Sequence, residues 1–207
     1  MARTIRARKP ETNLTRRKTA LRTLINDIGV YALCDLDGVP IYVGQSRDGI
    51  RSRVYRHLTS ARSDIIANRQ VDVWEVAYVQ AFPVADKADI GPLEAILFTA
   101  FDATKTLMNG SILRHDGDLP DPMPSPTQIV QILTEDEIKV RLDPSLRLPR
   151  QVEHIGRLID QILSVKDSKQ LRRSLAAHFE RLNAYRHAFL EQGSPIVRKP
   201  GQSDESE

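Results

Sequence analysis

Apolar and polar positions along the chain change period several times. Ile28-Gly29-Val30-Tyr31-Ala32-Leu33-Cys34 and Val39-Pro40-Ile41-Tyr42-Val43-Gly44 are short apolar runs around Asp35-Leu36-Asp37-Gly38. Asp-Gly between two such runs predicts a β-hairpin. Pro40 lacks an amide hydrogen, so the second strand should have an exposed edge. A helix is predicted over residues 49–61, with Ser46 or Asp48 as its cap. Residues 71–80 alternate and are rich in Val, Trp and Tyr, which predicts a third strand. Leu93, Ile96, Leu97, Ala100 and Phe101 then recur at helical spacing. This helix is expected to have Pro92 at its first position and Glu94 in its first turn.

A proline-rich stretch, residues 117–127, reads as a linker. Thr134-Glu135-Asp136-Glu137 has the pattern of a capping box. Val152, Ile155, Ile159, Ile162 and Leu163 form one apolar stripe; Leu171, Leu175, Phe179, Leu182 and Phe189 form another. Asp167-Ser168 separates them, which predicts a helical hairpin whose stripes pack within the chain or dimerise. The fold class is therefore α/β (α+β): a small three-stranded, mostly antiparallel sheet flanked by helices, with a C-terminal helical extension. The tail from Ser194 is polar and expected to be disordered.

Composition narrows the class. Hydrophobic residues make up 41%, enough for a core, and the net charge is only +3. The basic residues are concentrated: Arg3, Arg6, Arg8, Lys9, Arg16, Arg17, Lys18 and Arg22 precede residue 25 with Glu11 as the sole acid. Such a run reads as a solvated arm that can meet phosphates without regard to sequence. Arg16, Arg17 and Lys18, with Arg51 and Arg56 further on, are the candidate nucleic-acid contacts. Cys34 is the single cysteine; it lies in an apolar run and suits a reducing compartment. No apolar run is long enough for a membrane span, and the basic N-terminus lacks the apolar core of a signal peptide. A cytoplasmic protein is expected.

Chemistry-bearing residues cluster around the hairpin. With either a two- or a four-residue turn at Asp35–Gly38, Tyr31 and Tyr42 share a face. A four-residue loop sets them directly opposite; a two-residue loop sets them diagonally, with Gly44 facing Tyr31. Each is also an ordinary strand tyrosine when taken alone. Arg53 and His57, four apart, share a helix face that can bind a phosphate and relay a proton; equally they suit a basic solvated helix. Glu94 can serve as a metal ligand, since Mg²⁺ often takes one or two protein carboxylates. Asn109-Gly110 is a turn whose amide either fixes the chain or contacts a phosphate. His115, His154, His178 and His187 lack metal-ligand spacing and read as surface or packing residues.

Together these residues resemble the GIY-YIG nuclease family. Gly29-Val30-Tyr31 stands for the first motif and Tyr42-Val43-Gly44 for the second. Arg53-Val54-Tyr55-Arg56-His57 is similar to the family's Arg-x-x-x-His/Tyr helix, and Glu94 and Asn109 match its glutamate and asparagine. One departure is Gln45, where some members carry lysine. The resemblance covers about residues 27–109. It divides the chain into a basic arm (1–26), a nuclease domain (27–115), a proline-rich linker (116–127), a helical region (128–193) and a tail (194–207).

The resemblance implies a DNA endonuclease that uses one Mg²⁺ or Mn²⁺ ion per site, held by Glu94. Tyr31 would be general base, with His57 as proton acceptor, and Tyr42 would position the water, or the tyrosines would exchange roles. Arg53 would stabilise the phosphate, with Asn109 in support and Gly29 and Gly44 shaping the site. A restriction-type enzyme, a structure-specific repair or recombination nuclease, and a non-catalytic nucleic-acid-binding module remain open.

Overall fold

The computed structural model describes residues 13–60 and 62–191. Its elements run α1 (Asn13–Arg22), β1 (Gly29–Cys34), β2 (Pro40–Ser46), α2 (Ile50–Thr59), α3 (Asp64–Ala67), β3 (Tyr78–Pro83), a 3-10 turn (Lys87–Asp89), α4 (Ile90–Thr104), β4 (Gln128–Gln131), α5 (Glu135–Leu142), α6 (Pro144–Ser164) and α7 (Lys169–Glu191). The strands form one antiparallel sheet in the order β2-β1-β3-β4. Pro40 thus opens an edge strand, as its missing donor requires.

The sheet has four strands, not three. The fourth comes from the start of the region read as helical: β4 pairs Gln128–Gln131 with β3. Four residues carry too little alternation to register as a strand. The proline-rich stretch leads into it, and Met123 packs against the core on the way. The third strand also starts later than its pattern suggests. Residues 71–77 form a turn, in which Asp72 accepts a hydrogen bond from the Trp74 amide (3.1 Å). A side chain that satisfies a backbone donor two residues on favours a turn over a ladder.

Every residue of β1 is buried, and successive side chains join different cores. Tyr31 and Leu33 join the larger core with Val54 and Leu58 of α2. Val30, Ala32 and Cys34 face Leu97 and Phe98 of α4. Cys34 is fully buried, and burial pushes its thiol pKa up to about 12, as expected of an inert packing thiol.

From Asn13 to Arg22 the arm is helical. Helix α1 rests on α2, with Leu21 and Leu24 buried. Arg17 donates to the Val73 carbonyl (3.2 Å) and Arg51 to the Arg22 carbonyl (3.2 Å). Arg3, Arg6, Arg8 and Lys9, and the tail from Ser194, lie outside the described residues.

Helices α6 and α7 form the expected hairpin, but its inner face is largely polar. Ile155, Leu158, Ile162 and Leu171 are buried, while Val152, Leu163 and Phe179 are exposed. In their place the helices bury Arg147, Gln151, His154, Ser174, His178 and Arg181. Those groups meet polar partners on the sheet domain. Arg147 bridges Glu75 and Asp37, both at 2.8 Å, and Arg181 bonds Asp35 at 3.0 Å. Gln151 donates to Asp72 and Glu75 (3.2 and 3.0 Å). Ser174 donates to the Gln70 carbonyl (2.9 Å); His178 and His154 bond the Gln70 and Arg69 carbonyls (3.1 and 3.0 Å). Polarity in a helical stripe marks a docking face here, because each of these side chains finds a partner distant in sequence. Among the described residues, no helix is long and apolar enough to cross a membrane.

Candidate active site

The hairpin turn runs through Asp35, which accepts hydrogen bonds from the Asp37 and Val39 amides, while the Gly38 amide bonds its carbonyl. A register shift at Leu33/Cys34 follows. Tyr31 therefore faces Gly44 and Leu33 faces Tyr42, the diagonal of the two possible registers. The tyrosine rings are 6.5 Å apart, centre to centre. A bulge, rather than a two-residue loop, produces this register.

Gly44 makes the arrangement possible. A β-carbon built there would lie 2.5 Å from the Tyr31 hydroxyl oxygen and 2.6 Å from its Cζ. Tyr31 is 1% exposed and cannot step aside freely. Gly44→Ala should therefore displace the phenol, lower kcat by roughly 10- to 100-fold and cost about 1–3 kcal/mol of stability. Steady-state kinetics and a denaturation curve check both. Gly29 is constrained differently: its φ is 150°, and a β-carbon would meet the Phe82 carbonyl oxygen at 2.3 Å.

Helix α2 brings His57 against both phenols, at 6.2 Å from the Tyr31 ring and 6.3 Å from that of Tyr42. His57 is fully buried; its Nδ1 pairs with Ser63 Oγ at 2.6 Å, and its Nε2 is buried with no partner. Arg53 lies one turn earlier, near enough for its charge to oppose the rise of the Tyr31 pKa. The expected caps of α2 do not act as such. Gly49 takes the cap position, and Ser46 Oγ donates to the Gly49 carbonyl (2.7 Å).

Glu94 arrives from the other side of the sheet. It lies in the second turn of α4, since Ile90 begins the helix, so the first-turn placement does not hold. It is mostly buried, and its Oε2 accepts a 2.7 Å bond from Gln45 Nε2 on β2. Asn109 gives both ends of its amide to one residue. Its Nδ2 donates to the Val43 carbonyl (2.6 Å) and its Oδ1 accepts from the Val43 amide (2.9 Å). Of its two alternatives, chain fixing is the one these bonds express. Asn109 pairs the free edge of β2 as a neighbouring strand would.

Because β2 is the edge strand, the site wraps around it. One cleft of about 490 Å³ is lined by Tyr42, Gln45, Asp64, Glu94 and Asn109. A second cleft, sharing Gln45, is lined by Arg47, Arg53 and Arg56. Tyr42 reaches the first cleft directly, with Tyr31 packed behind it. Arg56 is exposed on the second, whereas Arg17 and Arg51 are committed to main-chain carbonyls. Arg16 and Lys18 lie on α1.

Local sequence patterns did not point to Asp64, Ser63 or Lys166, which lies on the far side of the Glu94 cleft. None carries a motif. Asp64 sits 3.7 Å from His57 Nδ1, a proximity set by the α2–α3 turn alone.

Burial governs the electrostatics. It raises the Tyr31 pKa well above its ordinary value; the neighbouring phenol adds to this and Arg53 opposes it. Burial, then Asp64, pushes Tyr42 up to about 12. Burial, then Arg53, takes His57 down to about 4. Burial raises Glu94, with the Gln45 bond pulling the other way. At neutral pH both phenols are protonated and the imidazole is neutral.

Comparison with known proteins agrees with this geometry. The profile of the GIY-YIG catalytic domain matches residues 27–106, a span that holds both tyrosines, Arg53, His57 and Glu94. No curated protein and no solved structure matches the chain. Residues 27–106 are thus similar to the GIY-YIG catalytic domain.

Proposed function

We propose that the protein is a divalent-metal-dependent DNA endonuclease whose catalytic centre is the cleft around β2. The observation that carries this reading is the meeting of Tyr42 and Glu94 in one cleft although they come from opposite faces of the sheet. Arg53 and His57 stand behind, against the phenols.

Glu94 is the residue that would hold the ion. Its carboxylate faces a polar cleft, and hard divalent cations prefer oxygen donors. Among the described residues no three His, Cys, Asp or Glu side chains form a cage, so the other positions would fall to water and phosphate oxygens. Bound there, Mg²⁺ or Mn²⁺ supplies Lewis-acid stabilisation of charge on the phosphate.

The chain's own groups do the rest. Tyr42 hydrogen-bonds and orients the attacking water at the cleft wall. Tyr31, beside Tyr42 and His57, would relay the proton: as Tyr42 takes a proton from the water it gives its own to Tyr31, and Tyr31 gives its own to His57 Nε2. Of the two assignments of the phenols, access to the cleft supports the one with Tyr42 at the water. His57 Nε2 is buried without a hydrogen-bond partner, and its ring lies beside both phenols, which makes it the proposed acceptor. Arg53 also places a positive charge beside the phosphate path. The substrate is DNA, with one strand cut per active site.

Plasmid nicking with Mg²⁺ and with EDTA tests the reading. Metal-dependent nicking is expected, and its absence at every metal tried would refute it. The pH profile adds a sharper outcome. With His57 lowered to about 4, no acidic limb should fall between about pH 5.5 and 7.5, where a free imidazole titrates. A limb near 6.5 that His57→Ala removes would show that the ring is more open than this geometry has it.

A further inference from the structure

The residues from Asp64 to Val71 separate two clefts. Asp64, Asn68 and Gln70 line the one that contains Glu94. Arg69 and Val71 turn the other way, into a cleft of about 390 Å³ on the side of α1, α5 and α6. Arg17, Arg69, Arg141, Arg150 and Arg157 all line it, with Trp74. Neither the tyrosine site nor the packing of the core uses this convergence.

Its acids do not cancel it. Asp72 is already saturated: Arg150 binds it through two nitrogens (3.1 and 3.3 Å), and Gln151 and the Trp74 amide bind it as well. Glu137 is 3.6 Å from Arg141. Glu153 pairs with Arg150 at 3.7 Å and with Arg157. Five guanidiniums thus face three carboxylates. Among the described residues, neither Arg17 nor Arg69 has a carboxylate partner. Burial and repulsion from Arg141 lower the Arg17 pKa to about 10, and burial lowers Arg141 too. Like charges held together in a partly dry cleft are relieved by a bound anion.

Trp74 narrows the choice of anion. The Arg141 guanidinium carbon sits 5.3 Å from its ring centroid, and the indole forms part of the cleft wall. Basic side chains beside an aromatic face are the pairing that holds single-stranded nucleic acid, phosphate to cation and base to ring. The volume is in the range of small-ligand sites, about 300–1,000 Å³.

We infer that this cleft is a second nucleic-acid site, which takes one nucleotide unit of an unpaired strand, its phosphate held by Arg69 and Arg157 and its base against Trp74. The inference rests on the nuclease reading only for the identity of the strand as part of the substrate. It gives the enzyme a grip on a displaced strand or a strand end, across the Asp64–Val71 segment from the catalytic cleft.

Trp74 is the single tryptophan of the chain, so its fluorescence reports on the surroundings of this one indole, and the Arg69 and Arg157 variants tie the signal to this cleft. The full-length protein in EDTA is titrated with a 5′-phosphorylated single-stranded oligonucleotide and, separately, with inorganic phosphate. The oligonucleotide should quench saturably. Arg69→Glu with Arg157→Glu, both exposed positions, should weaken binding by roughly tenfold or more. The slope of log affinity against log salt should fall by about 0.7 for each phosphate that the double variant no longer holds. Absence of quenching, or equal quenching in the double variant, overturns the site. Saturation by inorganic phosphate at the same concentrations overturns the nucleotide assignment. Plasmid nicking by the same preparations keeps the two readings apart: nicking without quenching refutes only the cleft, and quenching without nicking refutes only the nuclease.

Discussion

Glu94→Ala should reduce cleavage by roughly three orders of magnitude while leaving the protein at least as stable as the parent near pH 7. The first effect follows from losing the carboxylate proposed to hold the ion. Lewis-acid stabilisation of a phosphate is worth several kcal/mol, and each ~1.4 kcal/mol is tenfold in rate. The second effect follows from the sign of the pKa shift. Burial raises the Glu94 pKa in the folded protein. Such a group favours folding below its unfolded pKa and loses that contribution as pH rises through the folded value. At neutral pH the ionised carboxylate therefore opposes folding, and the hydrogen bond from Gln45 offsets this only in part. Cleavage rates and a thermal melt at the same pH separate the outcomes. A variant that cuts like the parent removes Glu94 from the site. A variant that loses both activity and several degrees of Tm makes Glu94 a structural residue instead.

Arg181→Ala carries the largest expected cost in stability, about 3–5 kcal/mol, the usual result of stranding one partner of a buried ion pair. Arg181 is 1% exposed and Asp35 also 1%. The guanidinium bonds Asp35 (3.0 Å) and the Pro40 carbonyl (3.0 Å), which tie α7 to the hairpin turn and the start of β2. Burial already raises the Asp35 pKa, with Arg181 among the groups that hold it down. Without Arg181 the folded pKa rises further, so the penalty is full at neutral pH and shrinks as acid protonates Asp35. Urea unfolding at neutral and acid pH reads this directly. Adding Asp35→Asn should recover part of the loss, since a neutral amide is cheaper to bury than an unpaired charge. An Arg181→Ala protein within about 1 kcal/mol of the parent would show that water reaches Asp35. Because Pro40 begins the strand that carries Tyr42, a drop in kcat should accompany the loss.

Most of the site was legible because its residues sit on short-range patterns. A two- or a four-residue turn at Asp35–Gly38 puts Tyr31 and Tyr42 on one face, because side chains alternate along a strand. The four-residue spacing put Arg53 and His57 on one helix face. Register was not legible, because a bulge at Leu33/Cys34 is a choice made by packing and turn hydrogen bonds. Nor was the position of Glu94 in its helix: the chain starts turning at Lys87, ahead of the Gly91-Pro92 signal.

Local periodicity, determined by the sequence alone, set out the hairpin, the helices that follow it and the hairpin of α6 and α7. The tertiary structure alone decided what those elements face. It added β4 to the sheet, folded Glu94 around the β2 edge to meet Tyr42, and turned the polar residues of α6 and α7 into a buried interface. It also gathered five arginines from α1, the segment after α3, α5 and α6 beside Trp74. The physical reason is the range of each effect. Backbone geometry acts over a few residues and leaves a period in the sequence, whereas burial and charge pairing join positions 72 or 146 residues apart and leave none.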